Sequence, residues 1–247
     1  AWNKRNDTNW NIEQLINSLL CAASTEQCYS QKCVDCRNNF PSSILMTTDS
    51  KFSNSEDEEI SWFNWVRTLG KMNLQETQGD VSALLDTIDE QWSILLFHHF
   101  VKNQQKLYID RIKKASSEKD YIVITCDFAG NYTLAAQREI QSAHWSKQQA
   151  SLFTIHIKIG ESHINLAIIS NYLNHDTAFV YYCQQQIIGF IKARYPLVKR
   201  IVYVSDGATM HFKNKFNMVN LSFHKNDFDL EAEWLFTATS HGKSACD

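Results

Sequence analysis

The chain has 247 residues, 44% hydrophobic, 21% charged and 12% aromatic, enough to bury a sizeable core and too apolar for extensive disorder. A formal charge of -3 and a pI near 6.3 exclude a globally basic nucleic-acid binder, so contacts of that kind must run through local patches. No apolar stretch reaches the ~20 residues that span a bilayer and no signal peptide precedes Trp2, so a soluble, intracellular protein with no membrane partner is expected. Seven cysteines, an odd number with four clustered early, fit a reduced compartment better than a disulfide framework. The chain begins at Ala1 without a methionine and stops at Asp247 in what reads as the start of a helix, so it is taken as a fragment.

Ile12, Leu15, Ile16, Leu19 and Leu20 share one face at helical spacing, and this helix delivers the chain to Cys21. Cys21, Cys28, Cys33 and Cys36 follow as C-x6-C-x4-C-x2-C. Four thiolates suit a tetrahedral structural Zn²⁺, and the tight Cys33–Cys36 loop lets two sulfurs reach one ion; buried or unpaired thiols are the plainer alternative. Residues 1–39 are therefore read as a helix plus a zinc module, and the polar stretch 40–60 as a surface linker. Residues 61–120 are read as a helical domain: Trp62, Trp65, Val66 and Leu69 have helical spacing, and a longer pattern runs from Val81 through Leu84, Leu85, Ile88, Trp92 and Leu95 towards Ile112. His98 and His99 lie on it as packing residues without assigned chemistry.

Residues 121–247 form the third region. Tyr121 to Cys126 is an apolar run that stops on Asp127, and Arg200 to Ser205 repeats the pattern and stops on Asp206 before Gly207. Such runs suit inner strands of a sheet covered on both faces, and such sheets bind ligands beyond the carboxyl ends of their strands. Each aspartate could instead cap the next turn; the repetition favours a shared site. Between the two runs, Leu134 to Ala150 reads as a helix with Gln137, Gln141, His144, Trp145 and Gln148 on its surface, able to meet bases or phosphates. An antiparallel hairpin follows, with Phe153, Ile155, Ile157 and Ile159 alternating before Gly160 and Ile164, Leu166 and Ile168 after it. Asp176 caps the next helix, which ends at Tyr195-Pro196. After the Asp206 strand come a short helix over 209–218 and a last strand from Trp234 to Thr239.

Apart from the helix after its first strand, this order resembles the ribonuclease H-like fold of DDE transposases and retroviral integrases: a mixed α/β sheet flanked by helices, here preceded by a helical region with a cysteine cluster. Cys126-Asp127-Phe128-Ala129-Gly130-Asn131-Tyr132, His144-Trp145, Val204-Ser205-Asp206-Gly207-Ala208, Phe212-Lys213-Asn214-Lys215 and Ala232-Glu233-Trp234 through His241-Gly242-Lys243 look like a family of transposon-derived animal proteins. Gly130 departs from that pattern, standing where the relatives often carry an acid.

The resemblance implies metal-dependent DNA cleavage and strand transfer in the nucleus, with transposon ends and target DNA as partners and a homo-oligomer on DNA. Asp127, Asp206 and Asp247 occupy the stations of its three acids, with Glu233 the alternative third. They would hold two Mg²⁺ or Mn²⁺, since hard cations take oxygen ligands. Lys213, His241 and Lys243 are the candidate DNA contacts. Two other functions fit the same residues: a catalytically inactive domesticated descendant that binds DNA or chromatin, and a metalloprotein whose cysteine cluster is the functional site.

Overall fold

The computed structural model describes residues 10–47, 59–134, 147–238 and 246. The chain forms two compact units, residues 1–101 and 102–247. The division falls inside one helix rather than in the charged run 110–120, because that run finishes the helix.

In the first unit, α1 (Ile12–Leu19) starts on a capping box: the Asn11 side chain accepts from the Gln14 backbone N–H at 2.8 Å, and the Gln14 side chain accepts from the Asn11 N–H at 3.1 Å. It buries Leu15, Ile16 and Leu19. Two short helices follow, α2 (Glu26–Tyr29) and α3 (Pro41–Thr47). The stretch expected as linker is thus partly structured: Leu45 of α3 is buried, and the Ser42 N–H donates to Asp89 at 3.1 Å. Residues 48–58 lie outside the described residues.

The helix expected around Trp62 to Leu69 is instead a hairpin. β1 (Ile60–Thr68) pairs residue for residue with β2 (Lys71–Gly79). Spacing misleads here because apolar side chains occupy both faces, so positions 62, 65, 66 and 69 mimic a helical stripe. Trp62 faces inward, with its ring against Gly79, whereas Phe63 and Trp65 face out. Leu69 and Gly70 make the two-residue turn, with φ of 51° and 80°. Positive φ at both positions is the type I′ arrangement, which suits glycine and asparagine and disfavours leucine. The helix α4 (Val81–Ala115) then begins where Asp80 accepts from the Ala83 N–H at 2.7 Å, and it buries Val81, Leu84, Leu85, Trp92 and Leu96, whereas Leu95 of the expected stripe is exposed.

The second unit is a mixed α/β sheet flanked by helices. Its strands are β3 (Tyr121–Thr133), β4 (Gln149–Ile159), β5 (Ser162–Ser170), β6 (Arg200–Ser205) and β7 (Glu231–Phe236), in the order β5-β4-β3-β6-β7. β5, β4 and β3 run antiparallel, and β3, β6 and β7 run parallel. One face packs Ile122, Ile124, Phe153, Ile155, Ile201 and Tyr203 against α5 (Thr177–Arg194), whose Asp176 cap accepts from the Phe179 N–H at 2.9 Å. The other packs Val123, Val202 and Val204 against Ile109 and Ile112 of α4. Coverage on both faces is why β3 and β6 are almost wholly apolar.

Three sequence expectations shift. β3 runs beyond Asp127 through an irregularity between Phe128 and Asn131, where Gly130 has φ of 79°; this position has a conformational reason to be glycine. Most of the helix expected over Leu134 to Ala150, including Gln137, Gln141, His144 and Trp145, lies outside the described residues; Gln149 and Ala150 belong to β4, and the Gln148 carbonyl accepts from the Leu134 N–H at 2.9 Å. The helix expected from Thr209 is α6 (Lys215–Phe228), delayed because Asn214 is its cap: its side chain accepts from the Asn217 N–H at 3.0 Å and donates to Thr177 at 2.8 Å.

His224 of α6 is 1% exposed between two fixed partners: its Nδ1–H donates to the Leu230 carbonyl at 2.7 Å, and its Nε2 accepts from the Tyr203 hydroxyl at 3.1 Å. The neutral ring makes both bonds, and burial lowers its pKa below the ordinary value of 6.5. A histidine with a lowered folded pKa contributes stability above its unfolded pKa and loses it as pH falls through the folded value. The second unit therefore holds its stability at about pH 7.5 and weakens below about pH 6.5, as urea midpoints will show. His224→Leu flattens that dependence and costs about 2 kcal/mol near neutrality, because two buried groups lose their partner. In the first unit, Leu69→Asn relieves the left-handed turn and raises stability by about 0.5–1 kcal/mol, read as a higher urea midpoint.

Candidate functional site

The β3/β6 pairing positions the two acids. Its parallel register matches Tyr121 with Arg200 and Thr125 with Val204, and continued two residues further it sets Asp127 opposite Asp206. Neighbouring strands lie about 4.8 Å apart, and paired residues of parallel strands project to the same face. Continuing the register thus puts both aspartates at one level, just past the last paired residues, Thr125 and Val204. Each carboxylate is oriented by one backbone N–H: Asp127 Oδ1 accepts from Phe128 at 2.8 Å, and Asp206 Oδ1 from Ala208 at 3.1 Å. Burial holds the neighbouring Cys126 thiol well above its usual pKa, and Cys246, Asp127 and Asp206 push it the same way at this buried point.

Cys246 is fixed to this point. Its carbonyl accepts from the Thr154 hydroxyl at 3.0 Å, and its thiol donates to the Thr125 carbonyl at 3.3 Å. The same Thr154 hydroxyl, opposite Asp127 on β4, lies 3.1 Å from the Asp127 carbonyl. Asp247, the residue after Cys246, lies outside the described residues, as do His241 and Lys243. Glu233, the alternative third acid, is not brought to this end. It stands within β7, paired with Val202, four residues short of the level of Asp206, and its carboxylate meets Arg200 at 3.4 Å. The last strand starts at Glu231, earlier than its apolar run suggested, because Asp229 turns the chain with φ of 51° and frees the next residues to pair.

Lys213 does reach the carboxyl end of the sheet, its stem near Gly207 and its ammonium 5.7 Å from the centre of the Phe236 ring. Sequence reasoning missed the residues that hold this end together. His175 stacks on Phe128 at 4.2 Å and donates from Nε2 to Asn131 Oδ1 at 2.9 Å, while His211 donates to the His175 carbonyl at 2.8 Å. Burial, then His211, keeps the His175 pKa low, so a neutral ring completes the set. No spacing signal links residues 131, 175 and 211; only the tertiary fold does.

The first unit holds a separate cluster. The sulfurs of Cys21, Cys28, Cys33 and Cys36 all lie within 4.8 Å of one another, with Cys21 and Cys33 at 3.8 Å. A tetrahedral ion at a Zn–S distance of ~2.3 Å sets its sulfurs about 3.8 Å apart. Four soft donors with no open position fit a structural zinc. Local folding explains the convergence: Cys21 follows the α1 terminus, Cys28 sits on α2, and the Asn39 amide donates to the Leu19 carbonyl at 2.8 Å, closing the loop back onto α1. Hydrogen bonds from Cys36 and Cys33 push the Cys21 thiol up to about 12, and the Thr25 N–H draws Cys28 down to about 7. Unequal thiols crowded together are the state a cation relieves. All seven cysteines are free, so no disulfide competes for them.

A family model described as a domain of unknown function (DUF8701) matches residues 105–247. The chain belongs to the DUF8701 family. The match takes in the whole five-stranded sheet, both acids and Cys246, whereas the cysteine cluster and the β1–β2 hairpin precede it. No curated protein and no solved structure matches the chain.

The cysteine geometry gives a direct expectation for this DUF8701 protein. Purified under reducing conditions, it carries about one zinc per chain, and Cys36→Ala removes it; elemental analysis checks both. Structural zinc contributes about 10–16 kcal/mol of apparent binding energy in zinc-finger peptides. Removal therefore unfolds α1 and its neighbours, seen as lost helical circular dichroism.

Proposed function

We propose that this chain is a DDE-type transposase or a descendant of one, with a ribonuclease H-like core that cleaves and transfers DNA strands in the nucleus. The observation that carries the proposal is the parallel register of β3 with β6, which, continued past Thr125 and Val204, puts Asp127 and Asp206 at one level beside the anchored Cys246. The sheet order, with an antiparallel hairpin on one side of β3 and parallel strands on the other, supports it, as does the place of the acids, where open α/β sheets keep their ligands.

Asp127 and Asp206 supply the hard oxygen donors that Mg²⁺ or Mn²⁺ prefers, and Asp247, next in sequence to Cys246, is the third donor proposed. When bound, two such ions would neutralise charge on the transferring phosphate and favour the attacking and leaving oxygens. The protein's own part is to place the donors. Phe128 and Ala208 orient the two carboxylates through their backbone N–H groups, and Thr154 ties Cys246 to β4 beside Asp127. Lys213, at the same end of the sheet, is suited to hold a DNA phosphate as a point charge. In the proposed reaction, water attacks a phosphodiester, the P–O3′ bond breaks and the strand end leaves as a 3′-hydroxyl. That hydroxyl then attacks a target phosphodiester and displaces its 3′ oxygen.

Calorimetric titration with Mn²⁺, wild type beside Asp127→Asn and Asp206→Asn, tests the site. Wild type takes up metal, and each variant loses at least about tenfold in affinity, because one charged donor is gone from a shared site. Divalent-dependent nicking of DNA falls by at least about a thousandfold in the same variants. Identical titrations for all three proteins would sink the proposal. Metal uptake without nicking would identify the inactive, DNA-binding descendant.

A further inference from the structure

The β1–β2 hairpin has two unlike faces. One carries buried Trp62, and Asn64 on it accepts from Gln91 of α4 at 3.4 Å. The other carries three cross-strand pairs: Phe63 with Glu76, Trp65 with Leu74 and Arg67 with Met72. The four apolar side chains of these pairs are 52–65% exposed. Single exposed apolar residues need no explanation, but a contiguous aromatic and aliphatic group on one sheet face marks a contact surface. An isolated two-stranded hairpin is also marginal until its face is covered.

The charges on this face identify the occupant. Arg67 lies at the turn end of the patch and Glu76 at the opposite end, on the other strand. A two-fold axis across the strands, in the plane of contact, stacks the apolar centres and brings Arg67 of each copy to the end that carries Glu76 of the other. The patch is therefore self-complementary, as an isologous interface must be. A nucleic-acid partner would want cations across the face, and here it has one cation and one anion. At this exposure the four side chains offer on the order of 450 Å² per copy, so burying both sets, with Arg67 and Glu76 at the rim, approaches the lower end of the ~1,200–2,000 Å² of specific interfaces.

We infer that this chain forms a two-fold dimer without DNA, by face-to-face packing of its β1–β2 hairpins through Phe63, Trp65, Met72 and Leu74, with Arg67 and Glu76 pairing between copies. The inference is independent of the catalytic proposal, since it uses only the first unit.

Sedimentation equilibrium of the full chain, with zinc and reductant present so that thiols cannot cross-link, reads the assembly directly. The expected result is a reversible dimer with a dissociation constant in the micromolar range or below. Trp65→Glu weakens it by at least about a hundredfold with circular dichroism unchanged, because the residue is exposed and its loss should not unfold the chain. Arg67→Glu and Glu76→Arg each weaken it by about tenfold, and the double exchange recovers most of the loss. A monomer at all concentrations, a dimer indifferent to Trp65→Glu, or a double exchange no tighter than the singles would each overturn the inference.

Discussion

The parallel pairing of β3 with β6 is the constraint on which the second unit depends. It fixes the register from Tyr121 to Thr125, and through it the level that Asp127 and Asp206 share when that register is continued. A one-residue slip would turn each strand's apolar set to the wrong face, since side chains alternate with a period of two. Because Ile122 and Ile124 face α5 while Val123 faces α4, the slip would expose or mispack both layers. The common level of the two aspartates is thus a consequence of core packing. The energy that holds them comes from the covered faces of the sheet, and the local bonds from the Phe128 and Ala208 N–H groups only set the direction of the carboxylates.

The first unit answers a different problem. Its core is small and gathers Leu15, Ile16, Leu19, Trp62, Leu84 and Trp92 around a cysteine cluster whose Cys28 and Cys36 are themselves buried. Small cores commonly need a staple, and four converging thiols are placed to receive one. The same unit leaves a hairpin face uncovered, so one of its surfaces is closed internally and another is offered outward. Together they give the chain four thiols placed to hold a metal, an exposed apolar hairpin face and, in the second unit, two acid-bearing segments set by one parallel register.

Several features were legible in the residues alone. The two apolar runs that reach an aspartate, the hairpin around Gly160, the Asp176 cap and the cysteine cluster all rest on local chemistry, and the structure places each as expected except that β3 continues past Asp127 to Thr133. Legibility failed where two periods coincide. Around Trp62 to Leu69 a strand with apolar residues on both faces imitates a helical stripe, and only the facing residues Lys71 to Gly79 resolve it. It failed again at Thr209, where helix propensity says little and the Asn214 side chain decides the start by bonding backward to Thr209 and across to Thr177. Gly130 had suggested a lost acid; a left-handed backbone at a strand irregularity gives it another reason.

What the sequence by itself determined was local: which runs are buried strands, which residues cap helices, and that four thiols and several carboxylates are available. Those properties follow from side-chain chemistry within a few residues. What only the tertiary structure decided was adjacency. Asp127 meets the level of Asp206 across 79 positions, Cys246 reaches Thr125 across 121, and Glu233 is drawn to Arg200 instead of to the acids. Such pairings depend on how strands order and align to bury both faces of one sheet. That is a property of the whole packed layer, and no short stretch of the chain encodes it.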